Sequence, residues 1–284
     1  MREIVIISGK GGTGKTTLAA SLAALWGDMV IADCDVDAAD LHLLMQPQIR
    51  KKADFYSGVR AVIDRDICTQ CGRCLEVCKY EAISSDFVVN EMDCEGCGVC
   101  PHFCPVESIS LVDRLSGEWY LSETRFGPMV HARLGIAQEN SGKLVSLIRR
   151  QAKQLAEEKG LSTILVDGSP GIGCPVISTI TGASLVVVVT EPTISGVHDM
   201  DRVLGLSEHF KIPSVLVINK ADLNEVMSKT IESVAQKYGT PVIGHIPYDS
   251  VVTRAMVKGE TVVEHHNGSV TKEIKDIAKN ILNH

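Results

Sequence analysis

The chain has 284 residues, 45% apolar and 22% charged, a composition that supplies a buried core and excludes extended disorder. Its net charge of −7, with five Phe, five Tyr and two Trp, argues against a surface built on phosphate attraction or base stacking, so no direct nucleic-acid partner is expected. No apolar run approaches a membrane span and Met1-Arg2-Glu3 leads straight into a strand pattern, so a cytoplasmic location without membrane attachment is expected.

In chain order, residues 4–8 form an apolar strand, 9–14 a glycine-rich loop, 16–26 a helix and 29–32 a second strand. Residues 162–166, 184–189, 214–218 and 241–246 read as further strands, and 142–159, 196–210, 224–238 and 270–282 as helices. Short, wholly apolar strands alternating with helices predict an α/β fold, a mostly parallel sheet with helices on both faces. This α/β domain is expected over residues 1–50 and 141–284. Residues 51–140 differ in composition and read as an insertion, with residues 111–137 as short strands and turns leading back to the sheet.

The loop Gly9-Lys10-Gly11-Gly12-Thr13-Gly14-Lys15-Thr16 fits G-x-x-x-x-G-K-[ST] between a strand and a helix. Glycines let backbone N–H groups curl around phosphate oxygens at a helix N-terminus. Lys15 supplies charge to the β- and γ-phosphates, Thr16 a ligand for Mg²⁺, and Thr17 a contact to the α-phosphate. Gly9, Gly11 and Gly14 also satisfy G-x-G-x-x-G, with Asp33 19 residues beyond Gly14, which is the dinucleotide pattern of a hydride-transfer enzyme. Lys15 and Thr16 favour the triphosphate, since a pyrophosphate loop needs neither. Asn219-Lys220-Ala221-Asp222 follows a strand where a base could be read: Asn219 suits adenine, and Asp222 would suit guanine.

Eight of the ten cysteines lie between Cys68 and Cys104, in two copies of C-x₂-C-x₂-C-x₃-C with a period of 26. That is the pattern for two [4Fe–4S] clusters, in which the fourth cysteine of each run serves the other cluster. It pairs Cys68, Cys71, Cys74 and Cys104 on one cluster, and Cys94, Cys97, Cys100 and Cys78 on the second. An inserted ferredoxin-like α+β domain with a core of about 58–113 is therefore expected. Zinc is the alternative for such thiolates, although its sites pair two C-x₂-C knuckles. Pro105 follows Cys104 as in the ferredoxin pattern, whereas Lys79 follows Cys78.

Residues 10–16 resemble the deviant Walker A motif of the MinD/ParA family of P-loop ATPases, which includes Mrp-type proteins and the nitrogenase iron protein. Asp33-Cys34-Asp35, Asp167-Gly168-Ser169-Pro170-Gly171, residues 191–196 and residues 246–249 resemble later family segments in the right order. The resemblance implies ATP and Mg²⁺ as ligands and a dimer closed by ATP, either of two copies or with a similar ATPase. It implies that Lys10 reaches the partner's phosphates, that Asp35 orients the attacking water, that Asp33 and Asp167 lie on the Mg²⁺ side, and that Pro247 borders the base. Cys174, seven residues after Asp167, falls where the nitrogenase iron protein has a cluster ligand, which implies a redox or metal role; packing at a dimer face is the other reading. Three functions follow as expectations: ATP-gated electron transfer to a redox or client partner, assembly of metal cofactors, and a ParA-like positioning switch with redox sensing.

Overall fold

Runs of Ile and Val with no polar interruption form strands buried on both faces. The computed structural model describes residues 1–135 and 141–284, so the last part of the expected insertion, 136–140, lies outside the described residues. The strands are β1 (Arg2–Ser8), β2 (Val30–Asp33), β3 (Gln48–Ile63), β4 (Ile109–Thr124), β5 (Gly127–Leu134), β6 (Thr163–Pro170), β7 (Leu185–Thr190), β8 (Ser214–Asn219) and β9 (Val242–Ile246). The helices are α1 (Lys15–Trp26), α2 (Leu41–Met45), α3 (Arg73–Val77), α4 (Val99–Phe103), α5 (Ser141–Lys159), α6 (Cys174–Ile180), α7 (Ile194–His209), α8 (Glu225–Lys237), α9 (Val251–Val257), α10 (Val262–His265) and α11 (Ser269–Asn283). The chain divides into two units. The first takes Met1–Ala53, Trp119–Leu134 and Ser141–His284, and the second takes Asp54–Glu118 and resumes at Gly135.

The sheet order is β3-β4-β5-β2-β6-β1-β7-β8-β9, and every pairing from β5 to β9 is parallel. Ile4 and Ile6 face a core filled by Leu18 and Leu22 of α1 and by Ile274, Ile277 and Ile281 of α11. Val5 and Ile7 alternate to the opposite face, and α5, α6 and α7 pack against the neighbouring strands. In α11, Val270, Ile274, Ile277 and Ile281 recur at helical spacing and are buried, which is why this segment folds against the sheet.

The segment after the cysteines differs from the short strands and turns expected there. Residues 109–124 form a single 16-residue strand, and residues 127–134 enter the sheet beside β2, with Met129 paired to Ile31 and Val130 to Ala32. Met129 and Val130 are fully buried, so this stretch belongs to the first unit's core. Its role depends on a partner strand nearly a hundred residues away, and no local pattern reveals that.

A buried ion pair ties three elements together at the start of β1. Arg149 of α5 grips Glu3 through Nε (2.6 Å) and Nη2 (2.8 Å), and its Nη1 donates to the carbonyls of Ser178 (2.6 Å) and Thr181 (2.9 Å). Removing one partner of a buried pair leaves the other charge unanswered, at a cost of about 3–5 kcal/mol. Arg149→Met is expected to lower the unfolding free energy of the first unit in urea by that margin; an unchanged unfolding free energy would show that the pair is not structural.

Candidate functional site

Parallel register brings the acidic residues together. Asp33, the last residue of β2, lies opposite Asp167 of β6, at the ends of strands whose apolar stretches lock that alignment. The backbone N–H of Asp35 donates to Asp33 Oδ1 (3.1 Å), and that of Cys34 to the Asp167 carbonyl (2.8 Å). Ser169 Oγ donates to the Cys34 carbonyl (2.8 Å), which leaves Cys34 buried as a packing residue.

Between β1 and α1 the loop winds around glycine. Gly14 adopts a left-handed backbone (φ 92°) as the residue before α1, and a Cβ there would come within 2.4 Å of Asn219 Nδ2. At Gly9 a Cβ would meet Asp199 of α7 at 2.4 Å, so only glycine admits that helix. Lys15 is the cation at the centre: its Nζ is 2.5 Å from Asp35 Oδ2 and 3.6 Å from Asp167 Oδ1. Asp33, Asp35 and Asp167 are all buried, so three carboxylates face one ammonium.

Burial pushes the Asp33 carboxyl well up, with the Asp167 charge adding to it. It raises Asp35 and Asp167 too, against the pull of Lys15. For Lys15 itself, burial pulls down but the Asp167 and Asp35 charges prevail, so it is raised. Asp33 Oδ2 and both oxygens of Asp167 are buried without a hydrogen-bond partner. Orphaned carboxylate oxygens beside the Thr16 hydroxyl fit a divalent cation.

A cavity opens over the loop. Its wall takes Gly11 to Thr17, Asp35, Pro170, Asn219 and Lys220 on the polar side, and Leu43, Leu44, Val252 and Met256 on the apolar side. Among the described residues that line it, Pro247 is absent, in contrast to its expected place beside the base. Asn219 donates from Nδ2 to the Thr13 carbonyl (2.7 Å) and accepts at Oδ1 from the Lys220 N–H (2.9 Å), so it braces the loop and keeps one N–H for a ligand. Asp222 accepts from the Tyr248 N–H (2.6 Å), which engages a carboxylate oxygen that a guanine reader would turn to the base. Lys10 points to Glu191 rather than into the cavity, at 2.6 Å. α2 and the apolar residues of α9 carry no local motif, and Glu191, although it opens the recognisable segment 191–196, had no role of its own from the sequence.

In the second unit the eight cysteines separate into two groups. Cys68, Cys71, Cys74 and Cys104 line one cavity; Cys78, Cys94, Cys97 and Cys100 line another. Each run thus sends its last cysteine to the other's ring. The backbone repeats with the sequence: Gln70 and Gly96, Gly72 and Gly98, and Glu81 and Glu107 are all left-handed, each pair 26 apart. Gly72 and Gly98 precede α3 and α4. At Cys104 burial acts to raise the thiol, but bonds from the Ser108 hydroxyl and nearby backbone N–H groups lower it overall. Among the described residues, no three His, Cys, Asp or Glu side chains are spaced to hold a single metal ion. Cys174 is exposed at the start of α6, outside both rings.

The sign of the Asp33 effect can be measured. Its raised folded value means that the native state holds more protons than the unfolded one above the ordinary carboxylate range, so stability falls as pH rises through that window. Asp33→Asn removes the burden: the ligand-free Tm at pH 7 is expected to rise by about 3 °C or more, with the gain shrinking towards pH 4. The added stabilisation by Mg²⁺ and ADP should shrink in the same variant. A lower ligand-free Tm would contradict the account.

Similarity to known proteins agrees with this geometry. Residues 4–262 match the CobQ/CobB/MinD/ParA nucleotide binding domain. An uncharacterised protein of Methanocaldococcus jannaschii is 35% identical over 279 residues, spanning 97% of this chain and 94% of its own length. The septum site-determining protein MinD of Synechocystis is 26% identical over 279 residues, spanning 95% of this chain and 84% of its own. The MinD of Pyrococcus horikoshii, solved with Mg-ADP, shares the fold with a TM-score of 0.59 at 18% identity, over 99% of this chain and 95% of its own. Among the described residues, no helix is long and apolar enough to cross a membrane. The chain belongs to the CobQ/CobB/MinD/ParA family of nucleotide-binding proteins, and it is an ATPase.

Proposed function

We propose that the chain is an ATP-dependent switch that carries two [4Fe–4S] clusters in a ferredoxin-like second unit and passes electrons to a partner protein according to its nucleotide state. The observation that carries this reading is the sorting of eight cysteines into two cavities, each lined by three from one run and the last of the other. Cys68, Cys71, Cys74 and Cys104 would hold one cluster, and Cys78, Cys94, Cys97 and Cys100 the other. When bound, such clusters supply reversible one-electron storage. A single zinc ion would need its four sulfurs about 3.8 Å apart, as Zn–S bonds of 2.3 Å at a tetrahedral centre require. The three-plus-one sharing of thiols between the two runs is the cluster pattern, whereas zinc sites pair two C-x₂-C knuckles. The buried core of this unit is small, namely Ala61, Ala82, Ile83 and Ile109 with Cys74 and Cys94, and a domain of that kind draws its stability from a staple.

On the nucleotide side, Gly11, Gly12, Thr13 and Gly14 offer backbone N–H groups and Lys15 charge to the phosphates. Thr16, Asp33 and Asp167 answer Mg²⁺, and Asp35 orients water once Lys15 turns to phosphate. Asn219 uses its remaining N–H on adenine. Two copies, or this chain and a similar ATPase, close on ATP, with Lys10 contributing at the shared face. A second reading is a positioning switch with redox sensing, favoured by the number of septum site-determining proteins among the curated relatives.

Anaerobic protein reconstituted with iron and sulfide is expected to bind about eight iron atoms per chain and to give reduced-cluster EPR signals. A non-hydrolysable ATP analogue should shift their midpoint by about 60 mV, a tenfold change in equilibrium for one electron. Reducible clusters with no shift would favour sensing over gating, and zinc in place of iron would remove the redox reading.

A further inference from the structure

Lys10 and Lys220 approach one carboxylate from two sides. Lys10 Nζ is 2.6 Å from Glu191 Oε1, and Lys220 Nζ is 2.9 Å from Oε2. Lys10 also donates to Thr193 Oγ1 (3.2 Å) and Ser195 Oγ (3.0 Å). These contacts close a ring around the phosphate loop. Lys10 belongs to the loop, and Lys220 follows Asn219, whose amide donates to the loop carbonyl of Thr13.

Glu191 sits on a rigid base. Its carbonyl accepts from the Thr193 N–H (2.8 Å), and a Cβ at Gly196 would come within 2.2 Å of that same oxygen. Thr193 in turn caps α7 by accepting from the Gly196 N–H (2.9 Å). The Glu191 side chain is 14% exposed. Burial acts to raise its carboxyl, but bonds from Lys10 and Lys220 lower it overall, so it stays ionised. Two ammonium groups on one carboxylate leave an excess positive charge at the rim, and Lys220 is part of the cavity wall. Phosphate oxygens entering the cavity therefore compete with Glu191 for the same two cations.

We propose that Glu191 is a positioning residue of the ATPase: it engages the Lys10 and Lys220 ammonium groups at the rim of the cavity, and nucleotide phosphates must displace it to recruit them. The proposal rests on the nucleotide site and is independent of the cluster assignment.

Fluorescent mant-ADP with Mg²⁺, titrated into the full-length protein, tests it. Partly exposed ion pairs are worth up to about 1 kcal/mol each, so releasing two should tighten binding of Glu191→Gln about five- to tenfold at low salt. The gain should fade as ionic strength rises. Glu191→Asp should return affinity to the wild-type value, and the gain should collapse when Lys10→Gln and Lys220→Gln are combined with Glu191→Gln. A merely structural role predicts the opposite sign, weaker binding with a lower Tm. Unchanged or weaker binding by a folded Glu191→Gln, or a gain that survives loss of both lysines, would overturn the proposal. Failure of the wild-type protein to bind mant-ADP would overturn it together with the nucleotide reading.

Discussion

Three buried carboxylates around a single ammonium are the constraint on which the first unit turns. Burying an ionised carboxylate is costly unless its charge is met, and Lys15 can meet only part of the charge of Asp33, Asp35 and Asp167. The parallel sheet forces the arrangement, because the register that pairs Ala32 with Val166 also sets Asp33 against Asp167. Apolar strand packing thus maintains an electrostatic deficit at its carboxyl edge. A divalent cation with a phosphate-bearing ligand relieves both sides of the imbalance: the metal answers the aspartates and the phosphates answer Lys15. Affinity here is stored as unfinished electrostatics in the free protein.

The second unit solves a different problem. Cysteines make up part of its core: Cys74 and Cys94 are buried among Ala61, Ala82, Ile83 and Ile109, and Cys78, Cys100 and Cys104 pack against them. Sulfur serves there as core material beside the aliphatic side chains. The left-handed residues at matching offsets in the two runs show that the repeat is a repeat of backbone shape as well as of thiols. At Gly96 close packing demands glycine, since a Cβ would meet the Val59 carbonyl at 2.1 Å.

Much of this was legible in the sequence where the signal is local. The strand–loop–helix of the phosphate site, the carboxylates at strand ends and the last amphipathic helix all carry their pattern within a dozen residues. Features set by distant partners were not. β4 mixes exposed, half-buried and buried positions and carries polar residues throughout, so no apolar run marks it. β5 owes its burial to β2 beside it in the sheet and α5 packed on it, of which β2 lies nearly a hundred residues away. Asn219 is recognisable as a base reader, but its bond to the Thr13 carbonyl depends on two loops meeting. Glu191 stands in a recognisable segment, yet its grip on two lysines exists only in three dimensions. Pro247 is a motif residue outside the wall of that cavity.

The place of β5 in the sheet has a consequence for how the polypeptide is made. Residues 127–134 complete the neighbourhood of β2, and they leave the ribosome only after all eight clustered cysteines. Asp167, Glu191 and Asn219 emerge later still. Domains form as units during vectorial synthesis. The cysteine-rich segment is therefore available to fold while the ATPase sheet still lacks its central strand β6 and everything beyond it. A nascent chain exposes its eight clustered thiols before it has a finished nucleotide pocket, so the order of translation lets the cysteine-rich unit fold ahead of the nucleotide site.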